Sequence, residues 1–205
     1  TGTLPTVEQV REFLRDDVAA EVTRRTGESD ESASSRRRLQ KRDALIERLL
    51  GSSEFTDYWS YKWSDLLLVN SERLRPAAMW SYYNWIRNNV AANTPWDRFV
   101  RELVTARGST LDNGAANYFV LHDDPTLMAE TTTVAFMGLA INCAKCHNHP
   151  MEKWTNDQYY EFANLFARVR TKNGTQADER VLFSDTQGDL VAPLTGKPPP
   201  PRPLD

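Results

Sequence analysis

Cys143-Ala144-Lys145-Cys146-His147 is the stretch on which the reading of this chain turns. Two cysteines three apart with a histidine directly after the second form a C-x-x-C-H element, the pattern of covalent c-type haem attachment. Chemistry accounts for the spacing. Thiols three residues apart on one helical turn reach the two vinyl groups of a haem and form thioethers, and the adjacent imidazole projects toward the iron as proximal ligand. Cys143 and Cys146 are thus the expected attachment points of a single haem c, and His147 the expected iron ligand. Two other chemistries use similar residues. A redox disulfide expects a thioredoxin-like βαβ context, which the surrounding sequence lacks. A zinc site built from Cys143, Cys146, His147 and His149 crowds four ligands into seven residues, whereas zinc sites separate two ligand pairs by a longer loop.

Outward from the motif the periodicity is helical. Upstream, Asp124-Pro125 opens a helix expected to reach about residue 141, and Thr94-Pro95-Trp96-Asp97 opens another that stops near Gly108. Helices are also expected over residues 53–69 and 76–92. Arg36 to Arg38 start one that ends at Leu50 before Gly51, with a solvated basic face. Thr6 and Gln9 form a capping box for a first helix, and residues 26–35 read as a loop. Downstream, Thr155 and Gln158 cap a last helix running to about residue 169. Residues 181–183 could form a short strand, and Lys197 begins a four-proline run. The expected fold class is all-α. It is an irregular multi-helix domain over residues 1–180 around a covalent haem c, with an extended proline-rich tail over 181–205 serving as linker to a following domain.

Composition sets bounds on function. The chain has 205 residues, 40% hydrophobic and 26% charged, enough for a buried core and too apolar for wholesale disorder. Its longest apolar runs, 66–69 and 134–141, are far below the roughly 20 residues of a membrane-spanning helix. A net charge of -3 argues against a nucleic-acid partner, and two cysteines cannot staple a disulfide scaffold. Thr1 to Pro5 shows neither the basic stretch nor the apolar core of a targeting segment.

The other side of the iron decides what such a site does: a Met or His closes it for electron transfer, and an open position admits small molecules or peroxide. His122, on the segment before the motif, is the distal candidate, and Met151 a weaker one. Met128 and Met137, at helical spacing, read as core. His149, two residues from His147, suits a propionate bond or a buttress for its own loop. Trp154, Trp63 and Tyr160 are candidates for the haem pocket, with core filling as the competing role for each aromatic.

The stretches TGTLPTVEQVREFL, ERLLGSSEFTDYWSYKWSDLLL, NTPWDRFVRELVTARG and MGLAINCAKCHNHPMEKWTNDQYYEFANLFARV resemble the planctomycete-specific cytochrome domain family of the second type, a family of unknown function. The CAKCHNHP core followed by DQYY carries the resemblance. It implies haem c and export, hence a periplasmic or otherwise extracytoplasmic location. It also implies that the chain is one module of a larger polypeptide. A redox partner protein or adjacent cytochrome domain would then exchange electrons with it. A haem enzyme with an open sixth position and a haem-stabilised binding module are the alternatives.

Overall fold

The computed structural model describes the backbone of residues 2–24 and 31–205 and, of these, the side chains outside 16–38. The chain divides into two compact units, Thr1–Trp59 and Ser60–Asp205. In the first, α1 (Val7–Arg24) starts at the expected capping box: the Thr6 amide donates to Gln9 Oε1 at 2.8 Å, and the Gln9 amide to Thr6 Oγ1 at 3.2 Å. Of the loop expected over residues 26–35, residues 26–30 lie outside the described residues, and 31–35 are already helical in α2 (Glu31–Leu50). The Arg36 to Arg38 side chains, expected as a solvated face, also lie outside them. Lys41 Nζ ties α2 to α1 by donating to the Phe13 carbonyl at 3.2 Å. Val7, Phe13, Leu14 and Leu49 stay exposed within this unit.

The helix α3 (Ser53–Leu66) runs from the first unit into the second. It ends three residues earlier than expected because Leu68 adopts φ 60°, in the left-handed region. Next come α4 (Pro76–Ala91) and α5 (Trp96–Val104), each preceded or opened by a proline at the positions read from the sequence. Residues 114–121 form a 3-10 turn followed by α6 (Asn117–Leu121).

The all-α expectation is wrong. About 51% of the chain is helical, and a three-stranded antiparallel sheet makes the fold mixed α/β. Strand β1 (Gly108–Ser109) pairs with β3 (Arg180–Ser184), which pairs with β2 (Val169–Asn173), in the order β1-β3-β2. Gly108 lies opposite Leu182, and Thr171 opposite the same residue on the other side. The helix expected to reach residue 169 is the element that gives way. Its counterpart, α8 (Asn156–Ala163), ends at Ala163, and six residues later the chain is extended. Beyond β3 the tail turns back onto the second unit. Asn164 Nδ2 donates to the carbonyls of Leu190 and Pro199, and the Arg202 amide to that of Glu161. Among the described residues no helix is long and apolar enough to cross a membrane.

The core of the second unit closes around Leu67, Tyr82, Ile86, Leu103, Tyr118 and Tyr159, with an aromatic cluster of Trp63, Trp85, Trp96 and Phe99 on its edge. Gly114 is where α4 comes closest to the following segment. A Cβ there would stand 2.3 Å from the Ser81 carbonyl oxygen and 2.6 Å from Trp85 Cβ. Neither atom can swing aside. Gly114→Ala should therefore destabilise the fold by about 3 kcal/mol, the upper end of ordinary overpacking. Urea unfolding would show it as a lower midpoint at unchanged slope.

Candidate functional site

The segment leading into the motif is shaped by a β-branched run. α7 (Pro125–Thr132) is capped by Asp124, whose carboxylate accepts from the Thr126 and Leu127 amides. A single helix to residue 141 does not form. The hydroxyls of Thr132 and Thr133 bond back to the carbonyls of Met128 and Glu130, and residues 133–137 widen into a π-helical turn. Gly138, at φ 65°, then ends it, a conformation that costs a residue without Cβ little.

The motif itself is one tight turn. Residues 142–145 are 3-10, and the amides of Cys146 and His147 both point to the Cys143 carbonyl. Both thiols are free, Cys143 half-buried and Cys146 exposed. The His147 ring places Nδ1 at 2.8 Å from the Asn148 carbonyl. A carbonyl only accepts, so Nδ1 carries the proton and Nε2 is left with its lone pair, the form that ligates a metal. His149 has the opposite tautomer. Its Nδ1 accepts from the amides of Met151 and Glu152, which makes it the buttress of its own loop.

Three residues hold the turn from below. Asn156, 2% exposed, donates through Nδ2 to the carbonyls of Ala144 and Lys145, and its backbone amide donates to Asn148 Oδ1. Tyr160 donates its hydroxyl to the Lys145 carbonyl; burial, then the neighbouring Cys146 and Asp124, push its pKa up. Lys145 Nζ reaches Thr126 Oγ1 at 2.9 Å, and that hydroxyl bonds the Asp124 carboxylate. Burial pushes the Asp124 carboxyl up, but the Thr126 and Leu127 donors and the Lys145 charge outweigh it and leave the pKa lowered. Nearby, Tyr159 donates to Glu130 at 2.6 Å. Trp154 folds over the same loop, with its carbonyl accepting from the His149 amide and the Lys153 ammonium over its ring. A groove of about 660 Å³ opens beside the motif, lined by Leu66, Leu68, Val134, Ala140 and Ile141.

The sequence-predicted residues thus fall into two groups. Cys143, Cys146, His147, His149, Trp154 and Tyr160 are joined by hydrogen bonds or adjacency into one structure. Trp63 is held in the aromatic cluster, 4.4 Å from Trp96 between ring centres. Met151 is 87% exposed and Met128 is in the core. His122 is 4% exposed and packs edge-on against Tyr118. Asn156 and Asn148 were not anticipated, because an asparagine in the first turn of a helix or in the loop before it ordinarily faces solvent.

The same residues test the fit of a haem. Two unbridged thiols on one turn and an imidazole with Nε2 available are its donor set. The Trp154 indole N–H, buried and without a hydrogen-bond partner, is a donor suited to a propionate. The residues fit. A bare-metal cage fits less well: among the described residues no three His, Cys, Asp or Glu side chains are grouped to hold an ion, and His149 Nδ1 is already engaged.

His122 has a measurable consequence of its own. Burial first, then the Arg73 guanidinium, lowers its pKa from 6.5 to about 4, against a smaller upward pull from Asp123. The unfolded chain therefore takes up this proton before the folded one. Stability from neutral His122 is complete above pH 6.5 and is lost as pH falls toward 4, by up to about 3 kcal/mol. Urea unfolding at pH 7 and pH 4.5 should show a drop in the wild type that His122→Gln reduces. Equal drops would refute the assignment.

A family profile described as PSCyt2, protein of unknown function (DUF1549), matches residues 1–171, a span that includes the motif and every residue that supports it. No curated protein and no solved structure matches the chain. The chain belongs to the PSCyt2 family.

Proposed function

We propose that this chain is a mono-haem c-type cytochrome domain that passes electrons outside the cytoplasm, with Cys143 and Cys146 as the thioether residues and His147 as the proximal ligand. The observation that carries the reading is the single turn that presents two free thiols while the Asn148 carbonyl orients the neighbouring imidazole. Haem c supplies a one-electron couple when bound. The chain's own residues supply the rest. The Asn148 carbonyl fixes the ring plane and tautomer of His147. Asn156 and Tyr160 hold the turn that carries the two thiols. Trp154 covers the loop and offers its indole N–H. Electrons would come from and go to a redox partner protein or an adjacent cytochrome domain, with a following domain of the same polypeptide beyond the tail.

The test is a pyridine haemochrome spectrum of protein produced with the cytochrome c maturation system. An α band of covalent haem is expected, and its absence from well-folded protein would overturn the proposal. A second reading, a haem enzyme with an open sixth position, is favoured by one observation: the His122 ring is engaged in the core against Tyr118. A high-spin ferric spectrum that shifts with cyanide supports it, and a low-spin spectrum inert to cyanide supports electron transfer.

A further inference from the structure

The second unit contains a cavity of about 970 Å³ between the β2–β3 hairpin and the segments around α4, α6 and α7. That size is typical of small-molecule sites. Its charge is unusual, because four arginines line it: Arg73, Arg75, Arg170 and Arg180. Three carboxylates stand against them. Glu179 is spent on its own loop, where it accepts from the Thr175 and Gln176 amides at 2.7 and 3.0 Å. Asp123 meets Arg73 only at 3.7 Å, and Asp178 meets Arg75 at 3.5 Å, both with largely exposed arginines.

Arg170 and Arg180 are paired with no carboxylate among the described residues. Arg170 uses Nη1 on the carbonyls of Ala167 and Val169, which orients the guanidinium and leaves its charge uncancelled. Gly188 makes room for it, since a Cβ there would lie 2.1 Å from Nη2. Arg180 bonds Asn173 Oδ1 and Thr171 Oγ1, and its Nε is buried with no partner. Half-buried guanidiniums held in place by neutral acceptors are costly unless an anion completes them. Leu74, Phe119 and Met128 lie behind this lining, almost wholly buried in the core, and give the arginines a rigid backing.

We propose that this cavity binds a small organic anion, with its carboxylate or phosphate group on Arg170 and Arg180. The planar guanidinium fork suits either oxyanion. The site does not depend on the haem reading. It is linked to the motif through α7, whose Pro125 and Met128 line the cavity while Thr126 bonds Lys145.

The experiment is calorimetric titration of the full chain with phthalate, phenyl phosphate and neutral phthalamide. Saturable binding of at least one anion, tenfold or more tighter than the amide, is expected, and the better of the two identifies the group. Arg170→Gln should weaken that anion about tenfold, the scale of one charge-assisted contact. Where Arg170→Gln does not fold, Arg73→Gln, at a more exposed arginine of the same wall, carries the comparison through a smaller loss. Anions that bind no better than phthalamide, or binding unchanged in the folded variants, would overturn the proposal.

Discussion

Protein carrying both Cys143→Ala and Cys146→Ala is expected to leave a cytochrome c maturing host colourless and at the mass of its bare polypeptide, while the wild type weighs one haem more. The effect is all-or-none, because a thioether needs the sulfur and no neighbouring group substitutes for it. Single variants separate the two sulfurs: each should retain at most one thioether, with the α band displaced from that of the doubly linked form. His147→Ala leaves both sulfurs in place and should change the ligand spectrum more than the mass. A folded double-alanine protein that still carries covalent pigment would defeat the assignment. So would a wild type at bare mass after correct export.

The second large effect is at Asn156. Its side chain satisfies the carbonyls of Ala144 and Lys145 at 2.8 and 2.9 Å from a fully enclosed position. Asn156→Ala leaves the Ala144 carbonyl without this donor and the Lys145 carbonyl with the Tyr160 hydroxyl alone, so about 1–3 kcal/mol of stability should be lost. Asn156→Asp distinguishes the cause. The carboxylate keeps the volume but has no N–H to give, so at pH 7 it should be at least as damaging as alanine if hydrogen bonding is what matters. Should Asp restore the wild-type midpoint in urea unfolding, packing rather than donation is the role of Asn156. In haem-loaded protein the same variants should alter the ligand-field spectrum of His147, because the turn that aims it has lost its support.

The helix starts were readable because their signals are local. Thr6 with Gln9 and Thr155 with Gln158 each satisfy amides three residues away, and Pro76 and Pro125 sit where a missing N–H costs nothing. Of the sheet, β3 was readable as the short strand expected over residues 181–183, but its two partners were not, for the opposite reason. β1 is two residues long and finds its partner at residues 181–182, far along the chain. β2 reads Val-Arg-Thr-Lys-Asn, polar at four of its five positions and directly after a helical pattern, so no alternation marks it. Only pairing with β3 makes it a strand. The helix expected through residue 141 failed at a run of three threonines, where the hydroxyls of Thr132 and Thr133 bond helical carbonyls.

The order of residues alone was enough to mark the pair of sulfurs with the adjoining imidazole, most helix origins, and membership in a family that spans the motif. Those features depend on neighbours within a turn or two. Which nitrogen of His147 is free, that Asn156 clamps the turn, that His122 is packed on Tyr118, and that four arginines converge on one cavity all required the folded chain. In each of these cases the deciding contact joins different elements or depends on a ring's orientation, and neither is encoded in spacing along a single element.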